Sequence, residues 1–137
     1  MDQALLKHRP GYMRRIVFIA AIAWVGACVT PSIPIPPPDP SDMTFTITTP
    51  PDGTSSTAVL TYPPDKNYEG GTAYLFNHDT GGGVFHIVNP DFSVGPLGLE
   101  AKAGNQLVFT IEATDQTVSR CVVLREGTQD PNTYCSF

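Results

Sequence analysis

The sequence predicts an all-β domain, a small antiparallel sandwich of seven or eight strands, behind a cleaved signal helix and a proline-rich tether. Three observations lead there. From Met43 onward, short runs rich in Thr, Val, Ile, Phe and Tyr recur at intervals of roughly 8–12 residues, divided by Pro, Gly, Asn and Asp. Beyond the first thirty residues no stretch keeps helical periodicity. Proline is concentrated as well: six of the ten residues Pro31–Pro40 are proline, which excludes both helix and sheet interior. The chain thus divides into residues 1–27, a signal; 28–42, the amino terminus of the mature chain and its tether; and 43–137, the sandwich.

A chain of 137 residues holds one domain with a tail and excludes a multidomain enzyme. Its hydrophobic fraction of 41% is enough for a small core. The formal net charge of −5 conceals a split. Residues 1–27 set Lys7, Arg9, Arg14 and Arg15 against Asp2, a net of +3, whereas the remaining 110 carry a net of −8. An acidic body excludes a general nucleic-acid grip, which needs clustered Lys and Arg.

The signal comes first. After Arg14-Arg15 an uncharged run of 14 residues extends from Ile16 to Val29. A basic start, a short apolar run and small residues before a break make a secretory signal. Crossing a bilayer takes roughly 20 helical residues, which disfavours a stable span, although an uncleaved anchor or a buried helix remains an alternative. Met13-Arg14-Arg15 would open a more compact signal, so translation from Met13 is a second possible start.

Val25-Gly26-Ala27-Cys28 resembles the lipobox of bacterial lipoproteins. The resemblance implies a diacylglyceryl group on the Cys28 thiol, cleavage before Cys28, and acylation of the new amino terminus by a chain such as palmitate. One chain binds a membrane marginally, so stable anchoring takes two or three. Val29 follows, where enteric lipoproteins retained in the inner membrane carry aspartate; by the same resemblance, delivery is to the outer membrane. The alternative is an ordinary secreted protein in which Cys28 has no such role.

Cysteine counting continues the argument. An odd three, Cys28, Cys121 and Cys135, suggests a leftover thiol in an exported protein. With lipid on Cys28, Cys121 and Cys135 form an even pair for a disulfide in an oxidising compartment. Two buried free thiols are the alternative.

Pro31–Pro40 reads as a polyproline II spacer of roughly 30 Å. The strands follow. Thr44–Thr49 alternates threonine with Phe45 and Ile47, and Pro50–Gly53 ends it. Ser56–Tyr62 comes next, then a polar loop from Pro63 through Gly71. Thr72–Phe76 and Val84–Val88 flank Asn77–Gly83 as a loose hairpin. Asn89-Pro90-Asp91 turns into Phe92–Val94, and Pro96 and Gly98 make the stretch to Ala101 irregular. The clearest strand is Gln106–Ala113, with Leu107, Phe109 and Ile111 on one face; Asp115-Gln116 turns it tightly into Val118–Leu124.

Asn89–Val94, Leu99–Ala103, Gly104–Leu107 and Ile111–Ser119 together resemble bacterial immunoglobulin-like modules over roughly residues 72–125. Those modules carry an "Asp-Gly-x-Phe-x-Val" strand, an "Ala-x-x-Gly-Asp-x-Leu" turn and a closing "Thr-Asp-x-x-Gly-Asn-x-Ser" hairpin. The chain departs where Asp91 lacks a following glycine, where Asn105 replaces an acidic residue, and where Gln116-Thr117 replaces a glycine-rich tip. The resemblance implies an immunoglobulin-like sandwich and brings no catalytic residue with it.

Chemistry is sparse. His78-Asp79 in the glycine-rich loop could join a metal site, though zinc needs three or four converging ligands; the plainer reading makes them a turn pair, and His86 a solvated strand residue. No Gly-x-Ser-x-Gly elbow exists. Asp52, Asp65, Asp79, Asp91, Asp115 and Asp130 fall in expected turns, which would suit calcium, but aspartate favours turns without any ion. Among Tyr62, Tyr68, Tyr74 and Tyr134, Tyr68 in the polar loop is the candidate for an exposed binding ring. The expectation is a lipid-anchored envelope protein with no cofactor beyond its lipid. It would be a non-catalytic binding or structural module, its partners the membrane and another envelope protein or glycan. The competing expectation is a small metal-dependent hydrolase built on His78 and nearby carboxylates.

Overall fold

The computed structural model describes residues 33–133 and Cys135. The signal and lipobox expectations, with Cys28, lie outside the described residues, as does Tyr134. Eight strands follow in chain order: β1 Thr44–Thr48, β2 Thr57–Tyr62, β3 Thr72–Asn77, β4 Gly83–Ile87, β5 Val94–Glu100, β6 Gln106–Ala113, β7 Gln116–Val123 and β8 Gly127–Thr128. Helix among the described residues is confined to single 3-10 turns at Pro40–Asp42 and Lys66–Tyr68. The strands make two antiparallel sheets, ordered β5-β2-β1-β8 and β4-β3-β6-β7. After the β1–β2 pair and the β3–β4 hairpin, the chain returns beside β2 as β5, crosses to β3 as β6, and closes with β7 on β6. That alternation between layers makes the fold an immunoglobulin-like β-sandwich.

Period-two patterning explains why the layers close. β6 buries Leu107, Phe109, Ile111 and Ala113 while the residues between them reach the outer face. Facing them from the other sheet are Phe45, Ala58, Leu60 and Tyr62. The β6–β7 hairpin pairs Ala113 with Gln116, leaving a two-residue turn. Its central residues, Thr114 and Asp115, both take positive φ, 49° and 59°, the twist that matches the flanking strands.

β5 differs from the expected irregular stretch. Val94, Leu97 and Leu99 are buried against β2. Proline is tolerated because β5 is an edge strand, where a missing N–H leaves no neighbour unpaired. Gly95 is required: at φ 101°, a Cβ there would stand 2.4 Å from the Leu60 carbonyl oxygen. The short β8 was not anticipated either, and it pairs only Gly127 and Thr128 with β1.

The tether differs more. Pro34 onward belongs to the same compact unit as the strands, and Pro38 and Pro40 are buried. Hydrogen bonds from distant side chains hold this strap. Gln116 Oε1 accepts from the Ile35 amide at 3.0 Å, and Tyr68 Oη donates to the Pro36 carbonyl at 3.0 Å. Arg120 Nε donates to the Pro38 carbonyl at 3.3 Å, and Tyr62 Oη accepts from the Asp39 amide at 3.2 Å. The strap therefore runs along β7 and is not a free standoff. Proline has no amide to extend a sheet but keeps its carbonyl as an acceptor, so side chains capture the strap where a ladder cannot. The Cys121–Cys135 disulfide ties the carboxy-terminal segment to β7, with Cα atoms 6.0 Å apart.

Candidate functional site

The residues singled out from sequence scatter through the sandwich. His78 and Asp79 occupy the β3–β4 turn, which is fastened to the start of β6. The His78 amide donates to the Gln106 carbonyl, the Gln106 amide donates to Asp79 Oδ2 at 2.7 Å, and the Asp79 amide donates to Asn77 Oδ1. Asp79 also borders a shallow polar cleft of about 450 Å³ with Thr54, Ser55, Ser56 and Lys102. Among the described residues, no three His, Cys, Asp or Glu side chains converge on a position that could hold a metal ion.

The turn aspartates have local employment. Asp52, Asp65, Asp91 and Asp130 each accept from the amide two residues on, those of Thr54, Asn67, Ser93 and Asn132. Such side-chain turns account for aspartate at these positions. At Asp91 the Ser93 hydroxyl and amide hold the carboxyl below its usual range; at Asp130 the Asn132 amide does so. Asp115 occupies the tight β6–β7 turn.

Tyr68 is a correction. Its ring is fully buried, 6.0 Å from Tyr62 between ring centres, and its hydroxyl serves the strap. The 3-10 turn at Lys66–Tyr68 folds the ring inward from a polar loop, where spacing alone suggested exposure. Burial, then the neighbouring Tyr62 and the Asp65 and Asp42 carboxylates, push its phenol well above the ordinary tyrosine range. Tyr62 is likewise buried and raised by burial. Buried polar side chains are satisfied: Asn77 Nδ2 donates to the Glu100 carbonyl and to Asn105 Oδ1, and Gln129 bonds Arg125 and Gly127. Among the described residues no buried side-chain polar atom lacks a partner, so none is left aimed at a ligand.

What sequence reasoning missed is a surface. On β4, Phe85 and Ile87 are 70% and 67% exposed. Tyr74 and Phe76 on β3 are exposed beside them, at 39% and 41%. Register makes these one patch: Tyr74 lies opposite Phe85, with ring centres 6.3 Å apart, and Phe76 lies opposite Gly83. Val108, Thr110 and Ser119 carry the same outer face across β6 and β7. His86 points the other way. It is half-buried and its Nε2 pairs with Asn89 Oδ1 at 3.0 Å, so it is not the solvated residue expected. The alternation Val84-Phe85-His86-Ile87 is visible in the sequence, but it does not say which of the two faces meets the core. Comparison with protein-family models, curated proteins and solved structures found no match.

Proposed function

We propose that the protein is a lipid-anchored component of a bacterial cell envelope, presenting its immunoglobulin-like sandwich as a non-catalytic binding module. The contact surface is the outer face of β3 and β4. The observation that carries the reading is the contiguous apolar patch of Tyr74, Phe76, Phe85 and Ile87. Large apolar side chains gathered on one face of a small domain mark interaction sites, whereas scattered ones need no explanation. The lipobox-like Val25-Gly26-Ala27-Cys28 supports the anchor. The strap shapes the presentation: only five residues separate Cys28 from Pro34, a leash of roughly 20 Å at full extension, so a lipid on Cys28 would hold the module close to the bilayer surface.

Two variants test the two halves. Cys28→Ala releases the protein from membranes into the soluble envelope fraction, and unchanged detergent partitioning would falsify the anchor. Phe85→Ser with Ile87→Ser abolishes recovery of whatever co-purifies from detergent-solubilised envelopes with the wild-type chain. Identical recovery from the folded double variant removes β4 as the contact surface.

A further inference from the structure

Among the described residues, the exposed large apolar side chains are Tyr74, Phe76, Phe85 and Ile87 on one sheet and Ile33 just before the strap. The strand residues of that sheet's outer face include one charged side chain, Glu112, and no lysine or arginine. Glu112 stands at the margin, where its Oε2 accepts from the Tyr74 hydroxyl at 3.3 Å. An aromatic body with a polar tip, flanked by Phe85 and Ile87, is the side-chain mixture that suits a boundary between water and hydrocarbon.

Register shows where the amino-terminal leash leaves this sheet. The Ile35 amide is held by Gln116 at the start of β7. Gln116 lies opposite Ala113, Glu112 opposite Thr72, and Thr72 opposite Ile87. The Ile35 bond and Ile87 therefore share one end of the sheet, three strand spacings or about 14 Å apart. From Pro34 back to Cys28 the leash spans roughly 20 Å at full extension. A lipid on Cys28 would thus bring a bilayer surface within reach of Ile87 with no change in the domain.

We infer that the partner of the β3–β4 face is the bilayer itself, a zwitterionic lipid surface on which Phe85 and Ile87 rest; this names the partner in the function proposed above and rests on its lipid-anchored reading. Size favours lipid over protein. The exposed parts of Phe85 and Ile87 amount to roughly 250 Å², short of the approximately 800 Å² that each partner contributes to a stable protein interface. A membrane contact needs less, because acyl chains already hold the domain at the surface and the patch adds a second signal. The contact is shallow. The Val88 amide donates to the Gly71 carbonyl and the Asn77 amide to the Gly82 carbonyl, so alternation turns the N–H and C=O groups of Gly83, Phe85 and Ile87 to the open edge. Those groups need water, which keeps the strand among the headgroups while its side chains reach past them. Charge selects the lipid: with a body at −8 and Glu112 on the face, anionic headgroups repel it and zwitterionic ones do not.

Brominated lipid reads the contact. In the full-length chain, Trp24→Phe removes the one native indole, and Phe85→Trp or Thr46→Trp then places a single indole on one sheet or the other. Thr46 is exposed on β1, in the opposite sheet. Each protein is purified from envelopes and reconstituted into brominated phosphatidylcholine vesicles, with intact mass reporting acylation of the same sample. In acylated protein the Phe85→Trp indole is quenched roughly three-fold more than the Thr46→Trp indole, and it emits further to the blue. Equal quenching at the two positions overturns the inference and leaves the anchor standing. Exchanging part of the lipid for phosphatidylglycerol weakens the Phe85→Trp quenching; a stronger signal overturns the zwitterionic assignment. A mass without acyl chains sinks the anchored reading by itself, and the unacylated chain at millimolar lipid then decides the face. Quenching confined to Phe85→Trp supports lipid contact there, and its absence overturns it. Capture of a protein through Phe85 and Ile87 in detergent, without quenching in vesicles, overturns it equally.

Discussion

The two flanks of the sandwich solve the same problem in opposite ways. On the β7 flank, the proline strap lies along an edge strand under side-chain hydrogen bonds, and a disulfide fastens the carboxy-terminal segment beside it. On the β4 flank, an edge strand without charge or proline carries the two most exposed large apolar side chains of any described strand, Phe85 and Ile87. One edge is closed from within the chain; the other has no further strand beside it among the described residues. If the proposed contact surface is right, stability is invested on one flank and recognition on the other, so mutations on the two should separate in their effects.

The largest loss is expected at the hinge between strap and core. Tyr68→Ala empties a fully buried ring site and removes a strap bond, costing about 4 kcal/mol; urea denaturation measures it, and a cost below about 1 kcal/mol would show the closed flank to be decoration. Reducing the Cys121–Cys135 bridge comes next. In the chain-entropy model it closes a loop of about 15 residues and contributes roughly 3 kcal/mol, read as a lowered midpoint in reductant. Tyr68→Phe keeps the ring and deletes the hydroxyl with its bonds to Pro36 and Tyr62, for about 1 kcal/mol.

That variant also isolates a pH effect. The Tyr68 phenol is held above its unfolded value near 10, so its contribution is complete below about pH 10 and declines as pH rises toward the folded value. Wild-type denaturation midpoints fall between pH 9 and pH 11, and Tyr68→Phe shallows the slope, with Tyr62 supplying the remainder. A flat wild-type profile over that range sinks the argument. The smallest stability change belongs to the open flank: Phe85→Ser and Ile87→Ser alter it by no more than about 0.5 kcal/mol while removing association. Equal destabilisation on both flanks would dissolve the contrast.

Much of the sandwich was legible in the sequence, because alternation and turn residues encode it directly. Gln106–Ala113 declared its buried face through Leu107, Phe109 and Ile111, and the two cysteines declared their pairing through the odd count. β5 was hidden because Pro96 and its glycines are breakers inside a sheet but admissible on an edge, and edge position is a property of topology. The docked strap was hidden for a related reason. A run of prolines reports backbone conformation, while its capture depends on Tyr62, Tyr68, Gln116 and Arg120, which approach only when distant segments meet. The burial of Tyr68 and the exposure of Phe85 were hidden by the same gap. Hydrophobicity shows that a side chain has a preferred side, yet which side of β4 faces the core is decided by its pairing with β3.

The strap also fixes how the domain answers a pull on its amino-terminal end. Its bonds to Gln116, Tyr68, Arg120 and Tyr62 are spaced along the segment, so tension reaches them one after another rather than together. They are expected to yield in the manner of a zipper, releasing the roughly 30 Å of chain between Ile35 and Thr44 before β1 bears any load. Under an optical trap this is a small early extension at low force, ahead of the main rupture. The expected behaviour is that of a mechanical fuse, the strap peeling while the core stays folded, and a single rupture with no early extension would refute it.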